Sequence, residues 1–358
     1  MISYLFTLVS RVLKGLWGGV SNERQADKVY IFLLPGLGIG DQLMLAPLAK
    51  HLKRNSSVDH ILLVTAGQGF IESLLDDPEI REISYKDFVV SMFKTRTTVK
   101  GVFPSFSLLN YVVSIFCHDV SGYCYGWQTT IGQFTFPSKP LDPVYGHYQD
   151  RLTAFGIKEV TEPVSSRTTL KKAVSPTRRP FILIAPYGLK EERFWPSWQW
   201  ISLLNSLYEI LEIKPEFVLL GSSAPAELQF LRQIENNVTA VRNMAGRFSF
   251  PELAMLAEKS SYFLGLDNGL SHLSYNFGHA GCIFYTNVLP ASRKPSFLKD
   301  EAFISFYGGQ SCDLAPCQNT TMQSRCMQVA DKRFICCTVL SEPQINKLAT
   351  HMNKFIKN

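Results

Sequence analysis

No run of five or more Lys and Arg residues occurs in the chain, so its net charge of +6 is dispersed. That is too mild to mark a nucleic-acid binder, and it suits anionic small ligands or an anionic membrane surface. The N-terminal stretch "MISYLFTLVSRVLKGLWGGV" lacks the unbroken apolar length of about 20 residues that a membrane span needs, because Arg11 and Lys14 interrupt it. It also lacks a small-residue cleavage site, and its charges fall inside the apolar run, which argues against a secretion signal. Ile2, Leu5, Phe6, Val9, Leu13, Leu16 and Trp17 recur at helical spacing. The stretch predicts an amphipathic helix within residues 1–24, lying on a membrane interface or packed on its own domain.

Cysteine is sparse for a disulfide scaffold: there are eight in 358 residues, five of them between Cys312 and Cys337. Their gaps of four, eight and nine residues from Cys312 through Cys317 and Cys326 to Cys336 provide no regular CxxC pair set. Buried thiols, disulfides and a structural metal all stay open for them, and a reducing compartment is favoured. The sequons at Asn55, Asn237 and Asn319 would matter only in a secretory pathway. Low-complexity tracts and short-period repeats are also missing. The dinucleotide fingerprint G-x-G-x-x-G does not occur at "GLGIGD", and no acidic residue closes the next apolar run, "HILLVTA". A nicotinamide oxidoreductase is therefore a poor fit.

What is present is an ordered globular chain, 46% hydrophobic and 18% charged, long enough for two cores. From Val29 to about Ile157, the runs "VYIFLLP" and "HILLVTA" predict strands, with helices after Asp41 and near "GFIESLLDD". "EISYKDF" and "VVSIFCHD" are weaker strand candidates. The polar segment "KEVTEPVSSRTTLKKAVSPTRRP" then gives way to an apolar strand, "FILIAP", a composition shift of the kind that joins domains. Beyond it, helices at "SWQWISLLNSLYEIL", "APAELQFLRQI" and "SFPELAMLAEKS" alternate with strands at "EFVLLGS", "YFLGLD" and "GCIFY". Alternation of this kind predicts doubly wound parallel sheets, whose ligands lie beyond the carboxyl ends of the strands.

Three strand ends carry unusual residues. In "GLGIGDQLMLAPLAKHLK" a turn containing Gly36, Gly38 and Gly40 ends on Asp41, which can cap the following helix or present a carboxylate. In "YGLKEERFWPSWQW" Lys190 and Arg193 follow a strand; Arg193, flanked by Phe194 and Trp195, is the better placed for a fork-like phosphate contact. In "YFLGLDNGLSHLSYNFG" a strand ends at Asp267 and Gly269 permits a tight turn. Ser271 or His272 then opens a helix whose amides can receive an anion. Simple capping by Asp267 and Asn268, with His272 as a packed core residue, is the structural alternative.

The order "GIGDQLMLAPLAKHLK", "RFWPSWQWISLL", "FVLLGS", "NMAGRFSFPELAMLAEKSSYFLGLDNGLSHL" resembles glycosyltransferase family 9, the ADP-heptose:lipopolysaccharide heptosyltransferases, over about Val29 to Pro343. The resemblance implies an α/β chain of GT-B fold, two Rossmann-like doubly wound domains facing a central cleft. Residues 1–24 would form the amphipathic helix, 25–170 the acceptor domain, 171–180 a linker, 181–340 the nucleotide-sugar domain and 341–358 a C-terminal helix. It implies an inverting transferase with Asp41 as general base after the glycine turn of Gly38 and Gly40. Donor contacts would come from Gly188, Lys190, Arg193, Asp267, Asn268, Gly269, Leu270, Ser271 and His272, with Glu227 nearest the ribose. No metal or other cofactor is implied, since an arginine and a helix N-terminus can stabilise the departing diphosphate.

Some positions depart from the family pattern. Gly188 and Leu189 stand where hydroxyl side chains often hold phosphate, Asn268 replaces a usual Thr or Ser, and no acidic residue directly follows Gly221. The implied partners are a nucleotide sugar, ADP-heptose first, and a lipid-linked glycan, with peripheral contact to an anionic membrane and no nucleic acid. The implied place is the bacterial cytoplasm, at the inner face of the inner membrane. The alternatives are a GT-B transferase with another donor or a protein acceptor, and a noncatalytic nucleotide-sugar-binding scaffold.

Overall fold

The computed structural model describes residues 28–32, 40, 43, 46–55, 60–65, 70–75, 77–94, 99–103, 119–124, 127–130, 133–135, 179–188, 193–295, 298–299, 301–313, 315–317, 336–337 and 340–357. The expected N-terminal helix, Gly38, Asp41, Lys190 and Cys326 lie outside them. The chain divides into two compact units. The first is Met1–Gly38, Met44–Asp142 and Tyr148–Thr161; the second is Ile39–Leu43, Pro143–His147 and Glu162–Asn358.

In the first unit, strands β1 (Lys28–Phe32), β2 (His60–Thr65), β3 (Ile80–Ser84), β4 (Val99–Phe103), β5 (Asp119–Cys124), β6 (Trp127–Thr130) and β7 (Gln133–Thr135) form one sheet. Helices α1 (Ala46–Asn55), α2 (Phe70–Leu75) and α3 (Tyr85–Lys94) connect the early strands. The strand order is β3-β2-β1-β4-β5-β6-β7. Pairing is parallel from β3 through β5 and antiparallel for β5 with β6 and β6 with β7. The sheet therefore mixes a doubly wound core with an antiparallel extension that apolar alternation did not disclose.

The weak strand candidate "EISYKDF" splits in two: it is strand only to Ser84, and Tyr85 opens α3. The cause is local. Ser84 Oγ accepts from the Asp87 backbone N–H at 3.0 Å and donates to the Asp87 carboxylate at 2.6 Å, a reciprocal cap that starts a helix. Phe88, one residue further, is fully buried against Tyr30 of β1, ring centroids 5.0 Å apart. The other weak candidate, "VVSIFCHD", lies outside the described residues except for Asp119, which begins β5.

The second unit holds β8 (Phe181–Ala185), β9 (Glu216–Leu219), β10 (Val241–Asn243), β11 (Tyr262–Leu266), β12 (Gly281–Tyr285) and β13 (Phe303–Tyr307). Between and after them come α4 (Ser197–Ile210), α5 (Pro225–Glu235), α6 (Phe250–Lys259), α7 (Gly269–Phe277) and α8 (Glu342–Asn353). All six strands are parallel, in the order β10-β9-β8-β11-β12-β13. Every residue of β8, β11 and β12 is buried, which is why these strands read as continuous apolar runs rather than alternating ones. Trp200, Leu204 and Leu207 of α4 and Leu231 and Ile234 of α5 pack with Ile182, Phe217 and Leu264 in the core.

The strand order reverses between β8 and β11, where Ile182 pairs with Tyr262 and Ala185 with Gly265. Crossovers leave in opposite directions from such a point and open a crevice above the carboxyl ends of the strands. Loops leaving β8, β11 and β12 therefore emerge at neighbouring positions on one edge.

Candidate donor site at the reversal of strand order

The loop after β8 is shaped by what it cannot accommodate. A Cβ on Gly188 would lie 2.7 Å from the Arg193 carbonyl oxygen, so only glycine lets the loop return this closely. Aromatic packing then fixes both flanks of Arg193. Phe194 meets Tyr187 and Phe230 at ring distances of 5.6 and 5.0 Å, and Trp195 meets Phe284 at 4.5 Å and Trp200 at 5.4 Å. The guanidinium of Arg193 reaches from here to the end of β11. Its Nη1 lies 3.3 Å from Asp267 Oδ2 and donates to the Asp267 carbonyl at 3.4 Å.

Asp267 is only 5% exposed. Its Oδ2 also faces Arg293 Nε at 3.7 Å, and its Oδ1 faces His272 Nε2 at 3.5 Å. Burial alone pushes this carboxyl up; Arg193, the His272 hydrogen bond and Arg293 together outweigh it and hold the group well below the usual carboxylate range. The carboxylate is thus ionised throughout the physiological range, a buried anion with cationic company. Among the described residues, buried Arg193 Nε and His272 Nδ1 have no hydrogen-bond partner.

Asn268, not Asp267, caps α7. Its Oδ1 accepts from the backbone N–H of Leu270 at 3.0 Å and of Ser271 at 3.2 Å. Its Nδ2 donates to the carbonyls of Ala185 at 3.2 Å and Tyr187 at 3.1 Å, tying the end of β8 to the end of β11. This corrects the expectation that Ser271 or His272 opens the helix and that its first amides await an anion. Gly269 is the first helical residue, and the Leu270 and Ser271 amides are already engaged. Ser271 is turned inward too, its hydroxyl donating to the Leu266 carbonyl.

Glu227 stands at the third position of α5, its carboxylate accepting from the Ser222 hydroxyl. It lies so close over Gly221 that a Cβ there would fall 2.4 Å from Oε1. The acidic group that sequence spacing did not supply directly after Gly221 is thus delivered to the end of β9 by the next helix.

Gly40 and Leu43, both helical, count with this second unit. A Cβ on Gly40 would meet His272 Cδ2 at 2.8 Å and the Gly269 Cα at 3.3 Å. Asn276 Nδ2 donates to the Leu43 carbonyl at 3.2 Å and to the His272 carbonyl at 2.9 Å. The glycine at position 40 is explained by this close approach to α7. Asp41 follows it directly in sequence.

Arg293 is the residue that sequence reasoning missed. It ends the single turn Pro290–Ser292 after β12, in a Pro- and Lys-containing loop without motif character. The only sequence signal was an arginine shortly after an apolar strand. Cys317, Cys336 and Cys337 are buried and Cys312 is half-buried, with Cys336 and Cys337 joining the apolar core. Among the described residues, no group of three or more His, Cys, Asp or Glu side chains could hold a metal ion, and no helix is long and apolar enough to cross a membrane.

Two α/β units, one with a mixed sheet and one with an all-parallel sheet, make up the GT-B class of fold, and solved structures agree. The chain is similar to the glycosyl transferase family 9 protein from Veillonella parvula, with TM-score 0.65, 14% identity, and coverage of 93% of this chain and 99% of that one. It is also similar to E. coli ADP-heptose lps heptosyltransferase II, with TM-score 0.59, 14% identity, and coverage of 91% and 99%. A third likeness is to E. coli heptosyltransferase WaaC with ADP, with TM-score 0.57, 13% identity, and coverage of 85% and 99%. No curated protein matches in sequence. Residues 153–310 match the model for Glycosyltransferase family 9 (heptosyltransferase), the family that the motif order resembles.

Proposed function

We propose that the protein is an inverting glycosyltransferase that moves a sugar, heptose from ADP-heptose in the first instance, onto a lipopolysaccharide-type glycan. The observation that carries this reading is the Arg193–Asp267–His272 cluster at the reversal of strand order, inside the segment that matches the family. A transferase of this kind must stabilise the charge that develops on a departing nucleoside diphosphate. Arg193 supplies a guanidinium held in place by a buried counter-ion and aromatic flanks, so little reorganisation is needed as that charge appears. Glu227, over Gly221, is the group for the ribose, and Gly188 and Lys190 belong to the loop that would line the phosphates.

Asp41 is the proposed base. It would take the proton from an acceptor hydroxyl as that oxygen forms the new glycosidic bond and the bond from sugar to diphosphate breaks. The neighbour with ADP bound favours an adenine nucleotide as donor. The dispersed positive charge and the amphipathic pattern within residues 1–24 favour an acceptor at an anionic bacterial membrane surface.

A thermal-shift panel of ADP-, UDP-, GDP- and CMP-sugars followed by transfer assays tests the reading. One donor should raise the melting temperature, and the rise should grow with the logarithm of its concentration above the dissociation constant. Asp41→Asn should bind that donor yet turn over about 100-fold more slowly or worse. A rate near that of the wild type for Asp41→Asn at saturating substrates would leave Asp41 a helix cap and remove the proposed base.

A further inference from the structure

We propose that Asn276 is a positioning residue: its side-chain amide docks the turn that carries the proposed base, Asp41, onto α7. The inference rests on the reading of Asp41 as that base. Its basis is the contact of two described turn residues, Gly40 and Leu43, with one face of the helix; Asp41 and Gln42 stand between them in sequence. Gly40 approaches α7 so closely that a Cβ there would meet His272 Cδ2 at 2.8 Å and the Gly269 Cα at 3.3 Å. Leu43 is fully buried, and its carbonyl accepts from Asn276 Nδ2 at 3.2 Å. Gly269, His272 and Asn276 follow one another at helical spacing, so they line one face of α7. The turn is thereby held on that face from both sides of Asp41, by close packing at Gly40 and by a hydrogen bond at Leu43.

For the helix alone, asparagine is a poor choice at this position. It is a weak helix former, because its amide competes with the backbone for hydrogen bonds. Asn276 is also buried, and its Oδ1 has no hydrogen-bond partner among the described residues. An unsatisfied buried oxygen destabilises a fold, and an apolar side chain of the same size would avoid that cost. Breaks in local rules of this kind are typical of functional positions. What the amide supplies is donation: Nδ2 also donates to the His272 carbonyl, one turn back on the same helix, at 2.9 Å. Both partners are acceptors, which fixes the orientation of the amide and aims Nδ2 at Leu43. At the other end of α7, Asn268 ties the helix to the end of β8 through the Ala185 and Tyr187 carbonyls. One helix is therefore the common support of the proposed diphosphate edge and of the turn with the proposed base. A reacting constellation must hold its groups to within about 0.5 Å, and a shared support is a direct way to do so.

Hydrogen–deuterium exchange of the full chain reads the docking without any need for turnover. Asn276→Leu keeps the side chain's size and removes both donors. It should speed exchange across residues 39–45 by about 10-fold, the weight of one buried hydrogen bond, and leave residues 268–277 unchanged. Its melting temperature should stay close to that of the wild type, since the orphaned Oδ1 leaves together with the donors. With the donor that the thermal-shift panel selects, kcat should fall by about 10- to 100-fold while KM and calorimetric donor affinity hold. Asn276→Gln, which keeps the amide, should recover part of the rate, and Asn276→Ala replaces the leucine variant if that one does not fold. Unchanged exchange across residues 39–45 overturns the inference. Faster exchange with a wild-type kcat overturns it too, since the contact then serves the fold alone, as does failure of both variants to fold. A fall in kcat matched by a fall in donor affinity would make Asn276 a donor-site residue, which also overturns it. A near-wild-type rate in Asp41→Asn refutes the base itself, a failure read from that variant alone, and the positioning role falls with it. A wild-type protein that transfers from no donor refutes the proposed function and the positioning role together.

Discussion

Replacing Asp267 by Asn keeps the side chain's shape and removes its charge, so the effect isolates the electrostatics of the cluster. The wild-type carboxylate is 5% exposed and faces Arg193, Arg293 and His272 within 3.3 to 3.7 Å. Breaking a buried ion pair from one side leaves the other charge uncompensated, which costs about 3 to 5 kcal/mol. At about 2 to 4 °C per kcal/mol for a domain of this size, the melting temperature should fall by roughly 6 to 20 °C. Urea melts of the two proteins across pH supply a second, sharper readout. Because its carboxyl in the folded protein is held below the usual range, Asp267 stabilises the fold fully above the unfolded value of about 3.9. That contribution declines as pH falls towards the folded value, at up to about 1.4 kcal/mol per pH unit. The stability gap between wild type and Asp267→Asn should thus be flat from pH 7 to 5 and narrow below about pH 4. A gap under about 1 kcal/mol at pH 7, against the 3 to 5 expected, would refute the cluster as an energetic unit.

Two further substitutions probe the cap of α7 and the packing at the far end of β11. Asn268→Ala should cost about 1 to 3 kcal/mol in urea melts, since it removes a helix cap and two strand-end hydrogen bonds; a cost below about 0.5 kcal/mol would show the cap to be redundant. His351 of α8 contacts the Tyr262 hydroxyl at 2.7 Å and donates from Nε2 to the Glu301 carbonyl at 2.8 Å, so its neutral ring accepts from the tyrosine. Burial pulls its basicity down, more than the Glu301 hydrogen bond raises it. Its stabilising contribution is therefore present above about pH 6.5 and lost as pH falls below that. His351→Gln should flatten the dependence of stability on pH between 7.5 and 5.5; an equally steep slope in the variant would assign the effect to other groups.

Most of the second unit was legible because its strands are buried on both faces. "FILIA", "YFLGL" and "GCIFY" are apolar at every position, a pattern few other structures would require. The reciprocal cap of Ser84 and Asp87 was equally present in the sequence as S-x-x-D, but the neighbouring β-branched and aromatic residues favoured strand. Strand β10 has three residues, too few for any periodicity to register. In the site, Arg193 was legible from its rigid flanks and Asp267 from its place at a strand end. Arg293 was not, because its proximity to Asp267 depends on β12 lying beside β11, a property of sheet order rather than of local sequence.

The same sheet order offers a reason for a carboxylate at the proposed diphosphate site. An ionised Asp267 alone would repel a diphosphate, and burial would favour its neutral form. Yet loops leaving three adjacent strands must be tied together if their side chains are to meet a ligand with fixed geometry, and hydrogen bonds to backbone cannot order two long arginine side chains as firmly as a shared counter-ion can. One carboxylate placed on the central strand, β11, can reach the arginines from β8 and β12, whereas a carboxylate on either flanking strand would reach only one. Two guanidiniums, those of Arg193 and Arg293, face this one carboxylate. Asp267→Asn should consequently lose stability while keeping, or even gaining, affinity for pyrophosphate, an outcome that separates a counter-ion from a ligand contact. A loss of pyrophosphate affinity in a folded Asp267→Asn protein would mean that the carboxylate's ordering of the arginines outweighs its repulsion.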